Sequence, residues 1–217
     1  MTLLVKICGI NSAESADAAV RAGADFAGLV FHPTSPRLLA YDAARALAER
    51  MRGRARLVAL VADAGDELIA DVLRAVNPDF LQLHGKESPT RAAAVRGRFG
   101  VPLIKAIAVA EGADLASVPC YEQSCDMFLF DAKAPEGLRP GGHGAPFDWQ
   151  LLRGRKFSRS WLLAGGLTPE NVARAIATAN APGVDVSSGV ESAPGIKSAD
   201  LIAAFLSAAR NKMEARA

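Results

Sequence analysis

A chain of 217 residues, half of them hydrophobic, has material for an ample core in one large domain or two small ones, and no linker-like stretch divides it. A net charge of +2 and arginines scattered apart from a loose group at Arg153, Arg155, Lys156 and Arg159 give no nucleic-acid stripe, and no apolar run nears the ~18 residues of a membrane span. Three cysteines make no disulfide framework and no leader pattern opens the chain, so a reducing, cytoplasmic setting is expected.

The run Leu3-Leu4-Val5-Lys6-Ile7-Cys8-Gly9 reads as a buried first strand. Strand side chains alternate, so Leu4, Lys6 and Cys8 share one face while Leu3, Val5 and Ile7 share the other. Residues 11–22 make a helix, opened by Asn11 and Ser12 and closed at Gly23. A second strand over residues 26–31 runs into His32-Pro33-Thr34-Ser35-Pro36-Arg37, where two prolines stiffen the loop that delivers Arg37. A helix over residues 42–52, a strand over 57–61 and a helix over 66–76, with an apolar stripe at Leu68, Ile69, Val72, Leu73 and Val76, continue the alternation.

The fourth strand, residues 80–85, carries Gln82 and His84 on one face at its C-terminal end, and Ser88 with Pro89 opens a helix to about residue 99. Residues 103–108 form a fifth strand with a second lysine able to point inward, Lys105, and residues 111–121 a short helix. The sixth strand, 127–131, ends on Asp131 and is followed by a long loop over 132–146 with four glycines, three prolines and His143. A short helix over 148–153 and a seventh strand over 161–164 precede Gly165-Gly166-Leu167-Thr168-Pro169-Glu170, a glycine turn with an N-cap threonine and a proline at N1 of a helix to about residue 179. An eighth strand, 183–186, leads into Ser187-Ser188-Gly189-Val190-Glu191, and Ser198 caps a last helix over 199–210. Eight strand–helix units predict a (β/α)8 TIM barrel, α/β in class, as a single domain over residues 1–217. An open doubly wound sheet would carry its glycine fingerprint early, after strand one, whereas the glycine turns here come late.

In such barrels chemistry gathers at the C-terminal strand ends, and phosphate lies by the loops after strands seven and eight. Backbone N–H groups at Gly165, Gly166, Ser188 and Gly189 are therefore candidates for a phosphate cradle. The other tip residues are Cys8, His32 with Arg37, His84 and Asp131, with Asp63 a weaker member. Cys8 fits either a structural thiol or a chemical one, while Cys120 and Cys125 read as packing residues. The three histidines form no HxH or HxxxH pair and have no carboxylate beside them, so no metal is expected.

Together, Lys6-Ile7-Cys8-Gly9, Ser35-Pro36-Arg37, Gln82-Leu83-His84-Gly85, Leu129-Phe130-Asp131, Phe147-Asp148-Trp149, Leu163-Ala164-Gly165-Gly166-Leu167 and the stretch from Gly183 through Ser187-Ser188-Gly189-Val190-Glu191 resemble the phosphoribosylanthranilate isomerase family of tryptophan biosynthesis. The resemblance spans the full chain, with its motifs in the family's order. It implies an Amadori rearrangement of N-(5-phosphoribosyl)anthranilate to the carboxyphenylamino-deoxyribulose phosphate, without cofactor or metal. Cys8 is then the general base, Asp131 the general acid and Arg37 the holder of the anthranilate carboxylate, with the glycine turns holding phosphate. From their places at the strand ends, Gln82, His84 and Asp185 are further candidates to bind substrate, Asp185 through a substrate hydroxyl. The implied partner is a small phosphorylated molecule, neither nucleic acid nor membrane, bound by a monomer or homodimer. The sequence departs from the family at His143, where a small hydroxyl residue is more usual.

The chemistry itself requires one acid and one base on opposite sides of the sugar. Strands one and six suit this, and Lys6 is a candidate cation to depress the Cys8 thiol. Asp185, on the strand that closes against strand one, is a candidate partner for Lys6. The alternatives are another phosphosugar barrel enzyme, such as an epimerase or a thiamine phosphate synthase-like protein, and a non-catalytic barrel that binds a phosphorylated metabolite.

Overall fold

A computed structural model describes residues 3–133 and 146–214, with side chains described up to residue 211. Strands β1 (Leu4–Cys8), β2 (Phe26–Val30), β3 (Arg56–Val61), β4 (Phe80–Leu83), β5 (Leu103–Val109), β6 (Met127–Ala132), β7 (Ser160–Leu163) and β8 (Gly183–Val186) close in sequence order into one barrel. All pairings around the ring are parallel, and β8 returns to β1 with Asp185 opposite Lys6. Helices α1 (Ala13–Arg21), α2 (Tyr41–Met51), α3 (Asp66–Val76), α4 (Pro89–Phe99), α5 (Val172–Ala179) and α6 (Ala199–Glu214) lie outside it.

Local chemistry accounts for several helix boundaries. Ser12 and Ser15 bond reciprocally as a capping box at the start of α1, and Ser88 accepts the Arg91 N–H with Pro89 at the first helical position of α4. Asn77, Gly100 and Asn180 end their helices in the left-handed region.

Two expected helices are 3-10 segments instead, Gly112–Tyr121 and Trp149–Leu152. In the first, Pro119 lacks the N–H that an α-helix would require. The helix after β7 also starts later than expected. Thr168 and Pro169 lie in a turn, because Asn171 Oδ1 accepts the Thr168 N–H at 2.9 Å and its Nδ2 donates to the Gly166 carbonyl at 2.8 Å. A hairpin of β9 (Glu191–Ala193) and β10 (Ile196–Lys197), absent from the sequence reading, follows β8.

Inside the barrel, Phe26, Val58, Ile104, Met127, Leu129 and Leu162 pack as one apolar cluster, and Cys8, Val30 and Leu60 form a small separate one. Polar side chains therefore enter at the C-terminal mouth. Leu3, Val5 and Ile7 pack outward under the helices, as strand alternation requires.

Lys105 is a correction to the sequence reading. It shares the outward face of β5 with Leu103, Ile107 and Val109, so its ammonium lies beneath the helix layer. There it donates to Glu87 Oε2 at 2.9 Å and to the Gly85 carbonyl at 2.7 Å. Glu87 in turn accepts the Asp63 N–H at 2.8 Å. This buried pair pins the loop after β4, and Asp63 serves the same loop by accepting the Lys86 N–H at 2.7 Å. Cys120 also differs from expectation, being exposed, while Cys125 is buried.

Candidate active site

The inward phase of β1 places Lys6 and Cys8 one above the other. Lys6 Nζ donates to Asp185 Oδ1 at 2.8 Å, with the lysine side chain fully buried. Burial would lower the Lys6 ammonium, but Asp185, and then Cys8, outweigh it and hold the group above its ordinary value. Burial pushes the Cys8 thiol up, Lys6 opposes this, Asp185 adds to it, and Lys197 also opposes it. The net direction is upward: Lys6 draws the thiol down, as expected of a neighbouring cation, but burial and Asp185 outweigh it. Gly28, across from Cys8 on β2, makes the arrangement possible: a Cβ there would lie 3.0 Å from Cys8 Sγ and 3.3 Å from Lys6 Nζ.

Breaking this pair should be costly. Asp185→Asn leaves a fully buried ammonium without its counter-charge, and stability should fall by about 3–5 kcal/mol in urea unfolding. Lys6→Met combined with Asp185→Leu should recover most of that loss. A single variant as stable as the parent would show that the charge is not desolvated.

On the far side of the mouth, Gln82, His84 and Asp131 form a chain. Gln82 Nε2 lies 2.7 Å from His84 Nδ1, and His84 Nε2 lies 3.2 Å from Asp131 Oδ2. Asp131 Oδ1 accepts the Ala132 N–H at 2.8 Å, which fixes the carboxyl plane. With the Gln82 amide donating to Nδ1, the neutral ring carries its proton on Nε2 and offers it to Asp131. A protonated Asp131 could still accept from Nε2–H through one oxygen, or could donate to Nε2 if Gln82 turned its Oε1 toward Nδ1–H. In the present orientation Oε1 is buried and has no partner among the described residues.

Arg37 arrives over Gly9, whose φ of 77° and missing Cβ let the arginine stem cross the tip of β1. Its guanidinium is already engaged: Nε and Nη2 donate to Glu191 Oε1 and Oε2 at 2.6 and 2.7 Å. Glu191 also pairs with Lys197 at 2.7 Å. Arg37 and Lys197 together outweigh burial and hold the Glu191 carboxyl below its usual range, while burial lowers the Lys197 ammonium. Sequence reasoning noted Glu191 only within a motif and did not single out Lys197. The sole signal was a charge pair in a segment that reads as a solvated turn. His32, by contrast, turns to its own loop, where Nε2 meets Thr34 Oγ1 at 3.0 Å.

The two glycine turns stand side by side. Gly165 and Gly166 take φ of 83° and 62°, and among the described residues their N–H groups have no acceptor. Gly189 sits against the same turn: a Cβ on it would lie 1.8 Å from the Leu167 carbonyl oxygen. Glycine is required there because one backbone packs on the other, a reason the sequence did not reveal. Ser188 and Gly189 belong to a 3-10 turn over Ser188–Val190. Among the described residues no group of three or more His, Cys, Asp or Glu side chains is gathered as a metal would require. His143 and most of the loop after β6 lie outside the described residues.

A closed barrel whose C-terminal mouth collects a thiol, a carboxyl group paired with a histidine, a held arginine and twin glycine turns has the architecture of a (β/α)8-barrel enzyme. Comparison with known proteins gives the particular family. The family model described as N-(5'phosphoribosyl)anthranilate (PRA) isomerase matches residues 5–208, and the chain belongs to that family. It is 51% identical to the N-(5'-phosphoribosyl)anthranilate isomerase of Rhodopseudomonas palustris (strain HaA2), over 99% of each chain. Among solved structures, the phosphoribosyl anthranilate isomerase of Thermotoga maritima superposes with a TM-score of 0.85 at 36% identity, covering 97% of this chain and 100% of that one. A phosphoribosyl anthranilate isomerase in complex with reduced 1-(o-carboxyphenylamino)-1-deoxyribulose 5-phosphate superposes with a TM-score of 0.83 at 34% identity, with the same coverage.

Proposed function

We propose that this protein converts N-(5-phosphoribosyl)anthranilate to 1-(2-carboxyphenylamino)-1-deoxyribulose 5-phosphate, in the cytoplasm, using Cys8 as base and Asp131 as acid. The observation that carries the reading is the placement of these two tips on well-separated strands. β7 and β8 lie between β6 and β1 on one side of the ring, and β2 to β5 on the other. A sugar between them would meet one proton carrier on each face. Ring opening needs a proton on the ribose oxygen as the nitrogen lone pair forms an imine, which is the task of Asp131. The Cys8 thiolate then removes the C2′ proton to give the enolamine, which tautomerises to the ketone. Both are proton transfers between positioned groups.

The remaining groups supply binding. The N–H groups of Gly165 and Gly166, which have no acceptor among the described residues, stand beside Ser188 and Gly189 and suit a phosphate dianion. Arg37 has its Nη1 edge free of partners among the described residues and available for the ring carboxylate. Gln82 and His84 act on Asp131, and Asp185 acts on Lys6.

The decisive assay generates the substrate in situ from anthranilate and phosphoribosyl pyrophosphate with its transferase and follows substrate fluorescence. Disappearance of that fluorescence, dependent on this protein, is the expected result. Binding of the product analogue without turnover would indicate a non-catalytic barrel, and turnover of a different sugar phosphate alone would indicate a neighbouring isomerase or epimerase.

A further inference from the structure

A guanidinium at the end of a long stem recognises a carboxylate in one plane only if something holds it there. In this protein the holder is Glu191. The carboxylate takes the Nε and Nη2 edge of Arg37 through two short bonds of 2.6 and 2.7 Å, leaving the Nη1 edge as the free donor face among the described residues. Glu191 is itself immobilised: Lys197 Nζ donates to Oε1 at 2.7 Å and the Gly195 N–H to Oε2 at 3.1 Å. Lys197 is anchored to the Ser187 carbonyl at 2.9 Å and its hydroxyl at 3.3 Å. The β9–β10 hairpin that carries these groups is tied to the loops after β1 and β2. Asn11 Nδ2 donates to the Gly195 carbonyl at 2.7 Å, and a Cβ at Gly195 would lie 2.7 Å from the Pro36 carbonyl oxygen.

The charge count separately favours an anionic ligand at this place. Arg37, Lys197 and Glu191 have side chains 7%, 0% and 4% exposed. Two cations sharing one carboxylate leave one positive charge that little water reaches. A buried unpaired charge is unfavourable, and an incoming carboxylate relieves it. A neutral analogue of the same shape would not.

We propose that Glu191 is the positioning residue for carboxylate recognition. It grips Arg37 from the side and from behind, so that the remaining guanidinium edge meets the ring carboxylate of the substrate in plane. The inference rests on the functional reading above and adds a residue that acts on substrate only through Arg37.

The test is an equilibrium titration with anthranilate as the probe, read by its fluorescence, on wild type, Glu191→Gln, Arg37→Ala and the double variant, each shown to be folded by near-UV circular dichroism. Glu191→Asp is carried alongside, since it keeps the charge for Lys197 but withdraws the carboxylate from the guanidinium fork. In Glu191→Gln the lost grip on the guanidinium should outweigh the attraction of the uncovered positive charge and weaken anthranilate binding about tenfold or more, and Glu191→Asp, which keeps the charge, should weaken it as well. The double variant should bind no worse than Arg37→Ala, because the two residues act as one unit. Inorganic phosphate should compete with substrate analogue equally well in all of them. Unchanged or tighter anthranilate binding in both Glu191 variants, or a Glu191→Gln effect that adds fully to that of Arg37→Ala, would overturn the proposal, as would a wild type that does not bind anthranilate. Turnover of the wild type in the isomerase assay is a separate readout and judges the functional reading independently.

Discussion

Cys8→Ser should lower kcat by about 10²–10⁴-fold, the usual contribution of a general base, with little change in melting temperature. The substitution keeps the size of the side chain in its cluster with Val30 and Leu60, so packing is largely preserved. What is lost is basicity, because an alkoxide forms far less readily than a thiolate. The pH dependence follows from burial. A base must be deprotonated to act, and burial raises the Cys8 thiol above its ordinary value. The acidic limb of kcat/KM in the wild type should therefore lie on the alkaline side of an unperturbed thiol, with the rate rising as pH increases through that limb. In the serine variant any residual rate should need still higher pH. Near-wild-type turnover by folded Cys8→Ser enzyme would reduce the thiol to packing and leave β1 as plain core.

Asp131→Asn should be comparably damaging, again losing about 10²–10⁴-fold in kcat. The amide oxygen can still accept from the Ala132 N–H or from His84, which stand 2.8 and 3.2 Å from the carboxyl oxygens. The local geometry should survive, and the variant isolates the proton. In Asp131→Asn the limb set by Cys8 should remain in the kcat/KM profile, since only the acid has been removed. Cys8 interacts with Lys6, Asp185 and Lys197, so the value read from its limb describes that set. The Cys8→Ser, Asp131→Asn double variant should be little slower than the worse single one, since groups that act together are lost together. Fully multiplicative losses would mean that the two residues do not serve one reaction.

The barrel and the phase of its inner strand tips were readable locally. Helix caps such as Ser12 and Ser88 act within a few residues of themselves, and side-chain alternation along a strand is a property of the backbone, so Cys8, Gln82, His84 and Asp131 could be assigned to the mouth. Even the Lys6–Asp185 pair, 179 residues apart in sequence, was foreseeable once β8 was taken to close on β1. Lys105 was misplaced for a physical reason. Parallel barrel strands are buried on both faces, so the apolar pattern of β5 carries no period-two signal to say which side faces in.

By itself, the sequence determined the eight-unit alternation, the strand tips that bear chemistry and the late glycine turns, because each depends on spacing within one element. Tertiary structure alone decided how those tips are held: Glu191 gripping Arg37 across 154 residues, Asn171 bonding back onto the Gly166 turn, and Gly189 pressed on the Leu167 carbonyl. Such contacts arise between loops whose paths are set by how the finished barrel packs them together. A charged residue in a short hairpin has the same local signature whether water or a buried arginine stands opposite it.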